Sequence, residues 1–257
     1  MPTYATGTSG YIGSKLQNAI SLDVDLCDKN TFSKKVIEPA STVINLAAIV
    51  GAQRVLEDPE LAFKVNVEGV ADLADHLIRN TDARLIQVST SHVYKSSDNK
   101  HSENSETGPN SLYAKQKLDA EKRLQALFAI APQRLLIVRV FSILGRNMPA
   151  GTLGWAIERA NTKNPIKNSD DVRDFSTARE VARTLEKLSL IDWHHPILNI
   201  CSGSCRSVRD AGIALRRELQ QNDEEGIFQK GNSNVPKNCG DNSLLKQTIT
   251  HVDMKHQ

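Results

Sequence analysis

Tyr113 and Lys117, four positions apart, are the residues whose types and spacing best suit chemistry. On a helix this spacing puts both side chains on one face, one turn apart. An ammonium held beside a phenol favours the phenolate and draws its pKa down from about 10 toward working pH. Such a pair can move a proton on and off an alcohol or carbonyl oxygen. Many helices carry Tyr-x-x-x-Lys, so the spacing gains meaning only beside a second hydroxyl and a dinucleotide site. Thr90, in the run Ser89-Thr90-Ser91-His92, is the candidate hydroxyl. The candidate dinucleotide turn is Gly7-Thr8-Ser9-Gly10-Tyr11-Ile12-Gly13.

The elements that must position these residues read as follows. Thr3 to Thr6 is a short strand, and Ser14 to Ile20 has helical character. Strand, glycine turn and helix in that order lift the pattern above a plain βα turn, which also uses glycine. Gly7 and Gly10 permit a tight turn and close approach of a pyrophosphate, and Gly13 permits close helix packing. Free N–H groups at the helix start would face the phosphates. The run Ser21 to Asp28 then arrives early. A full mononucleotide-binding unit holds a longer helix, a second strand and an acid about 20 residues past the turn. Either the helix is clipped and the second strand short, or that strand is missing. The acid that would grip an adenosine ribose is left open.

Thr42 to Ala48 is β-rich and ends in small residues, which let a cofactor approach. Leu61 to Arg79 has helical periodicity, and Arg84 to Ser89 is a strand with a hydroxyl-rich end. Lys95 to Thr107 is polar and aperiodic, a surface loop. Leu112 to Leu127 is a helix with Leu118, Leu124 and Leu127 toward the core, and Arg134 to Phe141 is a buried strand. Alternating strands and helices argue for an α/β fold with a doubly wound parallel sheet. Beyond Ser142 the glycines and prolines break the pattern. Helices are expected from near Thr177 and over Val208 to Leu219, a strand over Ile197 to Ile200, and a weak helix near Leu244. The expected division is a dinucleotide domain over 1–142, with 177–200 returning to it. Residues 143–176 and 201–257 form a small lobe.

The chain of 257 residues can bury a sizeable core, and its net charge of +2 gives no reason to expect nucleic acid or an anionic membrane as partner. The apolar run Leu135 to Val138 is far too short to cross a bilayer. The first residues read directly as a strand, and no targeting segment is expected. Of the four cysteines, Cys27, Cys201, Cys205 and Cys239, none forms a Cys-x-x-Cys pair. Reduced thiols, a cytoplasmic location and no metal site are expected.

Taken in order, these motifs resemble the extended short-chain dehydrogenase/reductases of the NAD-dependent epimerase/dehydratase family. That group includes nucleotide-sugar 4-epimerases, 4,6-dehydratases and 4-keto reductases such as dTDP-4-dehydrorhamnose reductase. The resemblance covers nearly the whole chain. Thr6-Gly7-x-x-Gly10-Tyr11-Ile12-Gly13 matches the glycine motif, Asp25-Leu26-x-Asp28 looks like the segment that meets the adenine, and Leu46-Ala47-Ala48 like the strand end beside the cofactor. Asn66 looks like the helix asparagine that follows. Ser89-Thr90-Ser91-His92-Val93-Tyr94 matches the active-site strand, and Tyr113 with Lys117 the catalytic pair. Arg139-Val140-Phe141-Ser142 is similar to the strand that touches the nicotinamide and then the sugar, with serine where the family usually has asparagine. Arg173-Asp174-Phe175 resembles the segment whose arginine meets nucleotide phosphates.

The resemblance implies a Rossmann-like doubly wound sheet with a small C-terminal substrate-binding lobe. It implies NAD or NADP as cofactor, held by Gly7, Gly10, Tyr11, Ile12, Gly13, Asp25, Leu26, Ala47, Ala48, Asn66, Tyr113, Lys117 and Phe141. A nucleotide sugar would meet Thr90, Ser91, His92, Ser142 and Arg173. Thr90, Tyr113 and Lys117 would be catalytic, with hydride transfer at a sugar carbon and Tyr113 as acid/base. A homodimer through the Tyr113 helix and the helix starting near Leu61 is a family-based expectation. Dehydratases of the family carry Asp-Glu after the catalytic threonine, and Ser91-His92 stands there instead, which argues against 4,6-dehydration. The compact segment before Asp25 is closer to the shorter 4-keto reductases. Reductase against epimerase, and NAD against NADP, stay open.

Each residue also has a plainer role available. Tyr113 could be an ordinary helix residue, Thr90 a strand threonine, His92 a strand-end histidine satisfied by neighbours and Arg173 a salt-bridge partner. Asp25 and Asp28 could be turn or cap residues, and His194-His195 solvent-facing. The competing function is a non-catalytic NAD(P)-binding regulatory protein of the same fold. Such relatives lose the tyrosine or the lysine, and this chain keeps both.

Overall fold

The structure, a computed structural model, describes residues 1–222, 225–231 and 237–253. The first half alternates strand and helix: β1 (Thr3–Thr6), β2 (Ile20–Ser21), β3 (Thr42–Asn45), α1 (Ala52–Glu57), α2 (Pro59–Phe63), α3 (Gly69–Asn80), β4 (Arg84–Thr90), α4 (Leu112–Leu127) and β5 (Leu135–Val140). Then come β6 (Ser142–Ile143), α5 (Leu153–Arg159), β7 (Val172–Ser176), α6 (Ala178–Ser189), β8 (Ile197–Ile200), β9 (Cys205–Ser207), α7 (Val208–Glu218) and α8 (Ser243–Asp253). Six parallel strands form one sheet in the order β2-β1-β3-β4-β5-β8. This is a Rossmann-like sheet, and β6, β7 and β9 make a separate small one.

The main sheet is covered on both faces, so its strands read as continuous apolar runs. Neighbouring residues point to opposite sides. Val43, Leu85 and Ile137 join one core with Leu73 and Leu77 of α3 and Leu124 of α4. Ile44, Ile86, Leu136 and Val138 join the other, with Val181, Leu185 and Leu188 of α6. Side-chain caps start the helices: Ser111 for α4, and a capping box of Thr177 and Glu180 for α6. A third core, with Leu144, Ile157, Phe175 and Leu215, lies under α5 and α7. α8 returns to the main sheet, where Leu245 joins the core beside Leu198 and Ile200.

Two sequence expectations need correction. The stretch Ser14 to Ile20 is not an α-helix: a single 3-10 turn, Gly13–Lys15, ends at extended Leu16. β2 follows at once, so the helix is clipped and the second strand is only two residues long. Too few residues separate the turn from β2 for a helix to form and return. The expected helix from Leu61 is present and runs to Asn80, with a π-helical turn inside it over Lys64–Glu68 that carries Asn66. The loop from Lys95 to Thr107 is partly interior. His101 is 3% exposed and stacks on Tyr94. The Glu103 carboxylate accepts from the Asn199 backbone N–H.

Candidate active site

The glycine turn is held tightly against β3. Gly7 has φ +64°, and a Cβ there would lie 2.7 Å from the Ala47 backbone nitrogen. A Cβ on Gly13 would collide with the Gly7 carbonyl and Thr8. Gly10 is exposed, and Ala47 and Ala48 are half-buried at the end of β3. The result is a cradle of backbone and small side chains, which fits close approach by a dinucleotide. Tyr11 donates its hydroxyl to the Arg146 carbonyl at 2.9 Å and joins the turn to the segment after β6. Ile12 packs with the core on the α6 side.

The acidic segment beside this cradle does local work. Asp25 is exposed and accepts from the Cys27 N–H at 2.8 Å, and Asp28 accepts from the Asn30 N–H at 3.0 Å. Leu26 is buried under α3, where Gly69 leaves room for the Leu26 carbonyl. Asn66 is fully buried and its amide is taken up. Its oxygen accepts from the Ile49 N–H, and its nitrogen donates to the Ile49 carbonyl and to Gln116 of α4. It therefore positions the loop after β3.

A polar chain crosses the sheet from this cradle toward Tyr113 and Lys117. Thr6 accepts from the Ala47 N–H and donates to Asn45, Asn45 donates to Gln87 at 2.8 Å, and Gln87 donates to the Val88 carbonyl. Thr6, Asn45 and Gln87 stand side by side in register across β1, β3 and β4. The same Val88 carbonyl accepts from the Lys117 ammonium at 2.6 Å. Buried polar groups require such partners. The chain links the glycine turn to α4 through the sheet.

Lys117 is 3% exposed. Burial pushes its pKa down to about 8, while Glu121, one turn on, acts in the opposite direction. The Tyr113 ring is hemmed in by protein yet keeps part of its surface open. Burial pushes its phenol up to about 12, so it carries its proton at neutral pH. This corrects the expectation that Lys117 lowers the phenol. The ammonium is turned to Val88, and desolvation of the ring outweighs any help from it. Thr90, 6% exposed, ends β4 and accepts weakly from the His92 N–H at 3.3 Å.

Ser91 is buried and accepts from the Asn238 side-chain amide at 3.0 Å. His92 is exposed by area but flanked by protein. Burial and then the Arg173 charge push its imidazole below the usual value, which favours the neutral ring. Arg173 pairs with Asp171 at 3.0 Å and keeps 31% of its side chain exposed. Ser142 is half-buried on β6, whereas Phe141 is packed with Tyr94 and Cys201. Cys205 and Cys239 form a disulfide, against the expectation of four reduced thiols. The segment carrying Asn238 runs beside β7, β7 pairs with β9, and the two sulfurs meet there. His194 and His195 are exposed.

Sequence reasoning missed Glu121, Ser89 and Asn238. For Glu121 a signal existed: it stands four residues after Lys117 on the same helix face. Nothing local marked Asn238, which reaches Ser91 from 147 residues away. Among the described residues no group of three or more His, Cys, Asp or Glu could hold a metal ion, and no helix is long and apolar enough to cross a membrane.

A parallel sheet, a glycine turn after β1 and a tyrosine–lysine pair on the helix beside β4 define a nicotinamide-dinucleotide protein. The chain belongs to the NAD dependent epimerase/dehydratase family, whose model matches residues 20–200. It is 28% identical over 144 residues to a dTDP-4-dehydrorhamnose reductase of Mycolicibacterium smegmatis, a match covering 51% of this chain and 43% of that protein. The match thus spans less than half the length of that relative. RMD from Pseudomonas aeruginosa, solved with NADPH, has a similar fold, with TM-score 0.82 and 21% identity over 97% of this chain and 93% of that one. The UDP-glucose 4-epimerase of Thermus thermophilus in complex with NAD superposes at TM-score 0.78, with 19% identity over 96% of this chain and 92% of the other.

Proposed function

We propose that this protein is an NAD(P)-dependent oxidoreductase that reduces a keto group on the sugar of a nucleotide-activated sugar, with Tyr113 as the proton donor. The observation that carries this reading is the corner where α4 meets the end of β4. Lys117 is anchored to Val88 there, Tyr113 lies one turn earlier on the same face, and Thr90 closes the strand. Gly7, Gly10, Gly13, Ala47 and Ala48 would hold the cofactor. A bound nicotinamide dinucleotide supplies the hydride for the carbonyl carbon. The Tyr113 hydroxyl gives its proton to the carbonyl oxygen, and a phenol held protonated at neutral pH suits that direction. Thr90 hydrogen-bonds the same oxygen and orients it. Lys117 supplies positive charge as the tyrosine oxygen becomes negative.

Ser91, His92, Ser142 and Arg173 line the sugar-nucleotide side in this reading, and Arg173 meets the phosphates. Residues 143–176 and 201–257 contribute the substrate lobe. The curated reductase supports keto reduction, although the match covers only part of it. A homodimer is proposed through α4 and the helix that starts near Leu61, where Leu61 and Leu112 stay exposed. We assign the protein to the cytoplasm, where the Cys205–Cys239 bond would be open to reduction.

A panel of nucleotide keto-sugars assayed with NADH and NADPH tests the reading. Oxidation of the reduced cofactor that depends on one keto-sugar is the expected result. Protein that purifies with tightly held NAD and interconverts two sugar epimers would be an epimerase instead. Cofactor binding with no turnover of any sugar would favour a regulatory protein.

A further inference from the structure

Three buried side chains behind Lys117 have no place in the mechanism above. Glu121 of α4 receives Arg139 of β5 through Nη2 at 2.7 Å and Nε at 3.2 Å. These side chains are 2% and 5% exposed. Ser89, the residue before Thr90, donates its hydroxyl to the same carboxylate. Ser89 and Arg139 are register partners on β4 and β5. Arg139 also lies over the Tyr94 ring at 4.7 Å and donates to the Glu103 carbonyl at 3.4 Å. The carboxylate is therefore held from the two strands that lie beneath the candidate site.

A buried ion pair is a weak device for stability, because an apolar pair of similar volume often holds two elements together as well or better. Leucine and methionine at these positions could pack α4 on β4 and β5. They could not place a carboxylate one turn from a buried ammonium. Lys117 has lost its water and donates to one neutral carbonyl, Val88. Charged or titratable groups also come from the elements packed on α4: Arg54 and Glu57 of α1, Lys64 and Glu68 of the π-helical turn, Asp72, Asp75, His76 and Arg79 of α3, Arg84 of β4, His92 after it, and Arg139 of β5. Tyr113 shares the helix. Glu121 stands one turn beyond Lys117 on the same helix face, and its charge opposes the effect of burial on the ammonium.

We propose that Glu121, pinned by Arg139 and Ser89, is a positioning residue of the active site that keeps Lys117 as an ammonium against the Val88 carbonyl and sets the alkaline limit of activity. The inference rests on the reading of Tyr113 and Lys117 as an acid–base pair. It adds a residue that touches neither substrate nor cofactor. In this view the three side chains let a lysine be dry and charged at once.

Two variants and one direct readout test it. Glu121→Gln keeps the shape and removes the charge. Glu121→Leu combined with Arg139→Met removes the pair without leaving Arg139 buried and unpartnered. The ε-carbon resonance of Lys117, identified by its loss in Lys117→Met, is followed against pH by NMR of lysine-labelled protein. In the folded variants its titration midpoint is expected to fall by about one unit or more, the size of effect an adjacent charge produces. The alkaline limb of kcat should move down with it, so that kcat falls about twofold near neutral pH and roughly tenfold well above pH 8, while KM for the cofactor changes little. A midpoint in the folded double variant equal to or above that of the parent overturns the proposal and makes the pair structural. Should the parent turn over no nucleotide sugar, the proposed function fails, and the Lys117 titration still decides the role of Glu121.

Discussion

At the glycine turn Ser9 and Gly10 are exposed and Gly7 and Gly13 lie tight against backbone, whereas at α4 three charged side chains are almost wholly buried. At the first place, Ser9, Gly10 and Asp25 lie in the open, the helix is one 3-10 turn, and β2 is two residues long. At the second, Lys117, Glu121 and Arg139 are 3%, 2% and 4% exposed and each has a fixed partner. The difference teaches where the chain keeps its constraint. The end that would hold the adenosine is reduced to a cradle of glycine and alanine. The end assigned to the chemistry keeps every polar contact.

The largest effects belong to the α4 corner. Replacing Tyr113→Phe should lower turnover of an accepted keto-sugar by about 10²–10⁴-fold, the usual worth of a positioned acid or base. Cofactor affinity, read by fluorescence quenching, should hold. Unchanged turnover would remove Tyr113 from the mechanism and with it the contrast between the two regions.

Lys117 makes a prediction about pH. Its folded value is depressed to about 8 from an unfolded value of 10.5. Between those values the unfolded chain binds the extra proton, so this group adds stability as pH rises through that window. The addition is complete above the unfolded value and is lost as pH falls through about 8. Lys117→Met should therefore raise the melting temperature at pH 7 and lose that advantage near pH 11. The same variant should cost roughly 100-fold or more in turnover. Activity of the parent should decline above pH 8, and Lys117→Arg should flatten that decline if it folds, because arginine keeps its charge. A melting temperature that falls at pH 7 in Lys117→Met would mean that the ammonium stabilises the corner.

Effects at the glycine turn should be smaller and of another kind. Gly13→Ala forces a Cβ into the Gly7 carbonyl, and the overpacking should cost roughly 1–3 kcal/mol in urea unfolding together with cofactor affinity. The smallest effect is expected at Asp25, where removal of an exposed turn carboxylate by Asp25→Ala should change stability by less than about 0.5 kcal/mol. Cofactor affinity should stay within about threefold, equal to less than 1 kcal/mol. A much larger loss of affinity would show that Asp25 grips the adenosine, and that the open end is better built than its contacts indicate.

Much of this was legible from residue order. The strand at Thr3 and the helix over Leu112 to Leu127 came from local residue pattern and periodicity. Apolar strands between amphipathic helices implied the parallel sheet. The Ser14 segment was misread because its glycine motif implies a helix that the short spacing cannot accommodate. The Lys95 to Thr107 loop was misread because polar composition hid His101, whose burial depends on Tyr94 and on the distant Cys239 backbone.

The amino-acid sequence by itself determined the strand and helix order, the glycine turn and the shared face of Tyr113 and Lys117, because each depends on residues a few positions apart. Only the tertiary structure decided the protonation of that pair. Desolvation depends on what packs around a ring or an ammonium, and the surroundings here come from β4, β5 and the turn before α3. The same holds for the Glu121–Arg139–Ser89 contact, the Asn238 amide on Ser91 and the Cys205–Cys239 bond. Each joins residues that the chain separates and the fold brings together.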